Sequence, residues 1–435
     1  CMKVLTDIHT DFSAVANSRD IMVADNARWK ILREQAQHQF ARMGLPGRKE
    51  EDWKYTSLWQ FGQEQFVHQV SQPGYADIHE LKLVEDAYRL VIVDGRVDLT
   101  ASSIDRLPEG LTVTPLSQSI ERASEFLNQQ ISMEKPGFNA MNTMLMNEGV
   151  FIEVAENTRI DKPIELIVVN SGHTQHYAMH LRHVIALGKG SQATFIETYE
   201  GNNKANGFTN VVTEISLAEN AELFHYKLQR ESLGHYHVAT MAASQATDSK
   251  WHNTNISLGA KLARNDVHTQ LLGEQSHVTM NGLYLVTGEQ HVDNHTRIDH
   301  SVPNTTSEEV YKGVLDEQSH AVFNGKVIVH KDAQKTDANQ SNRNLLLSRG
   351  CEIDTKPEME IYADDVKCGH GSAVGQINED QLFFLRSRGL DEVSARSLLT
   401  FAFAVDVIER ITNQELKQSI TQVIEKRLPK GGNHE

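Results

Sequence analysis

An internal repeat constrains this chain more than any other feature. Leu272-Gly-Glu-Gln-Ser-His-Val-Thr-Met-Asn-Gly-Leu-Tyr-Leu-Val286 returns as Leu315-Asp-Glu-Gln-Ser-His-Ala-Val-Phe-Asn-Gly-Lys-Val-Ile-Val329, at an offset of 43 residues. Weaker echoes begin at Leu187 and Leu217, so the spacings run 30, 55 and 43. Propeller blades repeat more evenly, whereas a β-solenoid tolerates turns of varied length as each coil adds rungs to long sheets. On that reading an offset of 43 is two coils of about 20 residues each. Short β-branched runs at 90–93, 164–169, 184–187 and 326–329, separated by Gly, Asn and Asp, fit the same architecture. A two-sheet sandwich is the alternative.

Helical patterns flank this region. Trp29, Leu32, Ala36, Phe40 and Met43 recur at helical spacing and stop at Gly44 and Pro46. The following stretch, Arg48-Lys-Glu-Glu-Asp-Trp-Lys-Tyr55, reads as a solvated loop with aromatic anchors. Near the end, Leu398, Leu399, Ala402, Val405, Ile408 and Ile411 form one stripe, with Asp391 as its N-cap. Leu416, Ile420, Val423, Ile424 and Leu428 form a second, stopped by Pro429. The division expected is a helical region over 1–85, a mainly β core over 86–378 and a helical region over 379–435.

Charge and cysteine content exclude several classes. Forty-two basic side chains against 58 acidic ones leave a net charge of −16, which repels nucleic acid and anionic membranes. Three cysteines, Cys1, Cys351 and Cys368, are too few for a disulfide scaffold, a four-cysteine zinc module or a self-contained thiolate-ligated iron–sulfur cluster. Cys1 precedes Met2, a natural start, and reads as a remnant. No signal peptide is evident, and the longest apolar run, 398–408, is broken by Thr400 and Asp406. The expectation is a cytoplasmic chain with no membrane span. No phosphate-cradling loop, dinucleotide fingerprint or nucleophile elbow occurs, so any ATP-driven step must borrow its motor.

Candidate chemistry rests on histidine. His291, Asp293 and His295 alternate on one strand face, the spacing of a metal site, with Asp299 and His300 close behind. A ladder of polar side chains on an outer sheet face is the reading we favour. His277 and His320 hold equivalent repeat positions and read as structural. His173, His176, His180 and His183 are irregularly spaced and read as surface residues. Cys368-Gly-His370-Gly371 differs, because it joins a soft thiolate to an imidazole between glycines that permit close approach, a ligand pair for zinc, copper or an iron–sulfur cluster. A Cys/His nucleophile pair is an alternative, and on the residues alone an inert buried Cys beside a surface His is the reading favoured.

These residues also carry a family resemblance. Asp332-Ala-Gln-Lys-Thr-Asp-Ala-Asn-Gln-Ser-Asn-Arg-Asn-Leu-Leu-Leu347 and Asp354-Thr-Lys-Pro-Glu-Met-Glu-Ile-Tyr-Ala-Asp-Asp-Val-Lys-Cys-Gly-His-Gly371 resemble the core of the SufB/SufD family of the SUF iron–sulfur cluster assembly machinery. Gln381-Leu-Phe-Phe-Leu-Arg-Ser-Arg-Gly389 is similar to that family's entry into its C-terminal helices. Arg48 to Thr56 resembles the N-terminal motif of the SufD branch, which the few cysteines also fit.

The resemblance implies a right-handed parallel β-helix between helical ends. It implies a non-catalytic scaffold that pairs with SufB and docks the SufC ATPase through its C-terminal helices. A transient cluster would form at the SufB interface and no cofactor would be held stably by the isolated chain. His370 maps onto the family's cluster-site histidine, with Cys368 a weaker second. An isolated chain is expected to form a homodimer, because a sheet edge awaiting SufB can self-pair. Two other readings compete: a carbohydrate-active β-solenoid, and a metal-dependent enzyme using His291, Asp293 and His295.

Overall fold

Short strands joined by tight turns wind the central region into a flattened coil. The computed structural model describes Phe12 and residues 26–68, 74, 77–135, 137–172, 176–202 and 205–429. Nineteen strands, β1 (Tyr88–Val93) to β19 (Lys367–Gly375), fall into two sheets among the described residues. The chain alternates between them, so from β4 (Glu148–Val154) onward each strand pairs in parallel with the strand two places along. The result is a β-solenoid of about seven turns flanked by N-terminal and C-terminal helices.

The turns explain why the chain closes on itself. Asn157, Gly190, Asn220, Asp248, Gln275, Asn304 and Lys335 all have positive φ and stack along one edge. Asn, Asp and Gly adopt that left-handed conformation most readily. Their amides bond to the next coil: Gly190 donates to the Glu219 carbonyl, Asn220 to Thr247 and Asn304 to Gln334, each at 2.9 Å.

The coil is longer than the expected 20 residues. His277 of β13 (His277–Val286) pairs with Thr306 of β15 (Thr306–Leu315), and His291 of β14 (His291–His300) pairs with His320 of β16 (His320–Val329). Both pairs are 29 positions apart. The offset of 43 equates β13 with β16, three half-coils on and in the opposite sheet. What repeats is therefore one turn plus one strand, and either sheet can use it. The Asn-Gly pair within the repeat has a packing reason. A Cβ on Gly282 would lie 2.1 Å from Cε1 of Tyr311, and one on Gly325 would lie 2.2 Å from Nε2 of Gln340.

The interior is apolar in its first coils and polar in the middle. Leu166, Val168, Leu181 and Ile185 give way to Glu197, His225, Lys227, Glu231, His235 and His237, all buried. Several of these groups bond to one another. Glu197 accepts from Tyr199 Oη at 2.5 Å and contacts His225 Nε2 at 2.9 Å, while Lys227 Nζ donates to Asn265 of the facing sheet at 2.9 Å. Burial alone would raise the Glu197 carboxyl. The His225 hydrogen bond and the charges of His225 and Lys227 overcome that and hold it near 2.

Helices cover the outer faces. Helix α1 (Ala27–Met43) and α2 (Phe138–Leu145) belong to the N-terminal side, where Phe61, Phe138 and Met141 pack on Phe208, Tyr236 and Leu262 of the nine-stranded sheet. After α3 (Glu379–Ser387), α4 (Glu392–Ile408) and α5 (Gln414–Arg427) lie on the ten-stranded sheet, with Ile408, Leu416 and Ile420 against Tyr226, Ile256 and Leu283. Asp391 caps α4 as expected, accepting from the Ser394 amide at 3.0 Å. The inward stripe of α4 is not the expected one. Ala395, Thr400, Ala404, Val407 and Ile408 are buried, whereas Leu398 is 47% exposed and Ala402 points outward. Small residues let the helix lie close to the sheet, which turns Leu398 to solvent. No described helix is long and apolar enough to cross a membrane.

Replacing Gly282 by Ala forces the Tyr311 ring to move within a closed core. Overpacking of this kind costs roughly 1–3 kcal/mol, which a lowered urea midpoint at unchanged slope would register.

Candidate functional site

The two ends of the solenoid are finished differently. At the N-terminal end, β2 (Arg96–Val97) and β3 (Leu111–Pro115) run antiparallel to their neighbours and close each sheet. At the other end, among the described residues, β18 (Glu352–Ile361) pairs only with β16, and β19 only with β17 (Asp337–Leu346). Their far sides carry a row of backbone donors and acceptors with no neighbouring strand. Most of β19 is exposed, and Tyr362 and Val374 present apolar surface there.

Cys368 and His370 stand on that last rung. Cys368 registers with Ala338, and His370 with Gln340. Ala338 and Gln340 are buried members of the inward-facing row of β17, so the alternation of the strand turns Cys368 and His370 to the same interior face. Among the described residues no further coil covers them. His370 is exposed, whereas Cys368 is half-buried and packs on the core. Burial raises the Cys368 thiol, and the nearby Asp337 charge adds to the effect against a hydrogen bond from the Ala338 backbone. At neutral pH the thiol therefore keeps its proton. Beneath His370 a polar column continues inward, with Gln340 Nε2 donating to Glu309 at 2.6 Å. Burial pushes Glu309 up to about 7.

Cys351 does not join this site. Cys351 is buried and its thiol donates to the Ser348 carbonyl at 3.1 Å, while Cys1 lies outside the described residues. The chain's own thiol and imidazole fall short of the four ligands a cluster ordinarily takes.

His291, Asp293 and His295 do share one outer face, as strand alternation requires, but a cation of the protein already occupies it. Asp293 Oδ2 accepts from Arg264 Nη1 at 2.6 Å and from Thr56 Oγ1 at 2.5 Å, and Oδ1 meets His295 Nε2 at 3.0 Å. His291 Nε2 lies 2.9 Å from the same Thr56 hydroxyl. Arg264 also stacks over Trp53 at 4.0 Å and donates to the Asp52 carbonyl at 2.7 Å. The cluster is a clamp that fastens the segment around Glu51–Trp53 onto the sheet. Burial would raise the Asp293 carboxyl, but Arg264 and His295 hold it well below the usual range.

Two histidines read as surface residues prove to be buried, His183 inside the coil and His180 beneath the N-terminal aromatic residues. His180 and His183 are 4% and 0% exposed. In this solenoid polar side chains occur on both faces of a strand, so alternation does not separate inside from outside. His176 is half-buried beside Glu64 at 3.1 Å, and His173 lies outside the described residues. His277 is structural as expected, bonded to Thr306 and Thr279 at 2.7 and 3.0 Å. A feature that the pattern reading missed is the exposure of large apolar side chains on the C-terminal helices, where Phe383, Phe384 and Leu398 are 74%, 56% and 47% exposed. The consecutive Phe-Phe, too dense for one buried stripe, was the available signal.

The geometry defines a class: a two-sheeted β-solenoid with one closed end, one open end bearing a histidine, and helices packed on both faces. Comparison with known proteins identifies it further. Residues 168–403 match the model described as the SUF system FeS cluster assembly SufBD core domain, and residues 12–166 match the SufBD protein N-terminal region. The chain is 34% identical to the iron–sulfur cluster assembly protein SufD of Escherichia coli over 96% of its length and 98% of the relative's. It is 29% identical to a SufBD family protein of Synechocystis over 96% of its length and 95% of the relative's. Against SufD of Bacillus subtilis it is 25% identical, over 70% of its length and 69% of the relative's. The chain belongs to the SufBD family of iron–sulfur cluster assembly proteins.

Buried histidines set a pH limit on this structure. Burial lowers His183, His291 and His300 to about 4, against about 6.5 in an unfolded chain. Between these values the unfolded chain binds the extra protons, so stability is full above pH 6.5 and falls as the pH drops toward 4. The expected loss is about 1.4 kcal/mol per pH unit for each such histidine, seen as a thermal midpoint that is flat above pH 7 and declines below 6.5.

Proposed function

We propose that this chain is a non-catalytic scaffold subunit of a cytoplasmic SUF assembly complex, and that the last rung of its solenoid is where a nascent iron–sulfur cluster is held. The observation that carries the reading is the placement of His370 on an exposed strand with an unpaired backbone edge. An edge of that kind accepts a strand from another chain. In this reading the other chain is SufB, whose thiolates make up the ligand shortage. Sharing ligands across an interface keeps the cluster labile, as an assembly intermediate must be. Of the two edges, β19 is the better suited to strand addition, because β18 contains Pro357, which has no amide to donate. Cys368 stands beside His370 as a reserve ligand whose protonated thiol needs a neighbouring cation or metal before it can bind.

The exposed Phe383, Phe384 and Leu398 support docking of the SufC ATPase on the C-terminal helices. Nucleotide binding there would bias the interface between two arrangements, which supplies a motor that this sequence lacks.

Replacing His370 by Ala in the complex with SufB and SufC, followed by anaerobic reconstitution, tests the cluster site. Cluster yield and transfer are expected to fall several-fold while complex formation is kept, and full yield and transfer would contradict the role. Without partners, the same edge is expected to self-pair into a homodimer. Light scattering should then report a monomer for Val374→Lys, which places a charge in the interface, and a dimer for the unaltered chain.

A further inference from the structure

A second cluster of ligating side chains lies at the open end, on the outer face of the nine-stranded sheet. His320 begins β16, and Glu352 of β18 is its direct neighbour in register. Asp354 lies two residues further along β18 and so on the same face. The ligating atoms of His320, Glu352 and Asp354 all lie within 4.8 Å of one another. His320 Nε2 meets Asp354 Oδ2 at 2.8 Å, and the ring of His291 packs edge-on against that of His320 at 4.6 Å.

The charge balance sets this group apart from its surroundings. Acids on the same face, from β12 (Leu262–Leu271) to β18, are matched to cations: Asp293 and Asp266 to Arg264, Asp299 to Arg297, Glu358 to Lys356, and Glu360 to Lys326. Among the described residues, Glu352 and Asp354 have no Lys or Arg nitrogen within 4.0 Å, and the one ion-pair contact of Asp354 is His320. Glu352 is exposed, and His320 and Asp354 are part-exposed, so a hydrated ion can reach all three. Two neighbouring carboxylates with no Lys or Arg partner repel, and a cation between them would relieve that.

We propose that His320, Glu352 and Asp354 form a binding site for one first-row divalent cation. One imidazole and two carboxylates are the ligand set that such ions share, and the exposed geometry leaves positions for water or for a further ligand. Because β18 is an unpaired edge, a strand added there would bring its own side chains beside the site. The sequence signal is faint unless the coil length is known. His320 and Glu352 are separated by 32 positions, one coil, and look unrelated when the coil is taken as shorter.

The proposal is independent of the role given to His370, and its test keeps the two apart. Mn²⁺ titrated into the full chain, followed by the loss of its free six-line electron paramagnetic resonance signal, should show one saturable site per chain. The double variant Glu352→Gln, Asp354→Asn is near-isosteric, and circular dichroism would verify its fold. It should bind at least tenfold more weakly, as should His320→Gln, while His370→Ala binds as the unaltered chain does. Equal binding by the double variant and the unaltered chain, or no saturable binding by the unaltered chain at millimolar Mn²⁺, would overturn the site.

Discussion

In a parallel solenoid each strand gives its peptide groups to the coils on either side, so the ladder is complete everywhere except at its two ends. This one constraint organises the molecule. Nine or ten strands in register satisfy almost all their backbone in the stack, and the turns extend it through the left-handed residues along the edge. At the N-terminal end, two short antiparallel strands stop the stacking. Among the described residues the C-terminal end has no such stop, and there lie Cys368 and His370 and the proposed cation site of His320, Glu352 and Asp354. Cys368, His370, Glu352 and Asp354 stand on the two edge strands and His320 on the strand next to one of them, where the stack leaves side chains open to another molecule.

A ladder this complete also permits an unusual interior. Strands that are held by backbone bonds on both sides need less from their side chains, and the middle coils fill the core with Glu197, His225, Lys227 and Glu231 in place of aliphatic residues. Glu197 is held by His225 and Tyr199 and Lys227 by Asn265, as the low-dielectric setting demands. The same economy appears outside, where Asp293 and Arg264 fasten the segment bearing Trp53 to the sheet. That segment is the Arg48–Thr56 motif by which the sequence resembled the SufD branch, and its conspicuous residues turn out to dock the N-terminal region, with Trp53 under Arg264 and Thr56 on Asp293.

The repeat and the β-branched runs made the solenoid legible in the sequence, and helical spacing with Asp391 as cap marked the C-terminal helices. The coil length was not legible, because the strongest echo joins strands of opposite sheets and measures one and a half coils. Nor was the burial of His183, which lies in a polar interior that removes the contrast of strand alternation, or of His180, which the N-terminal aromatic residues cover from outside. Cys368 and His370 stood out by ligand chemistry alone. Their position on the last uncovered rung follows from the register with Ala338 and Gln340, which only the folded chain reveals. The trio of His320, Glu352 and Asp354 stayed hidden for the same reason as the coil length.

The central claim is that the β19 edge is the assembly face. A structure of this chain in complex with the proposed partner SufB tests it most directly. The account predicts a partner strand or loop along β19, with His370 within ligand distance of a partner thiolate. A partner seated elsewhere, with β19 and His370 left in solvent, would contradict it.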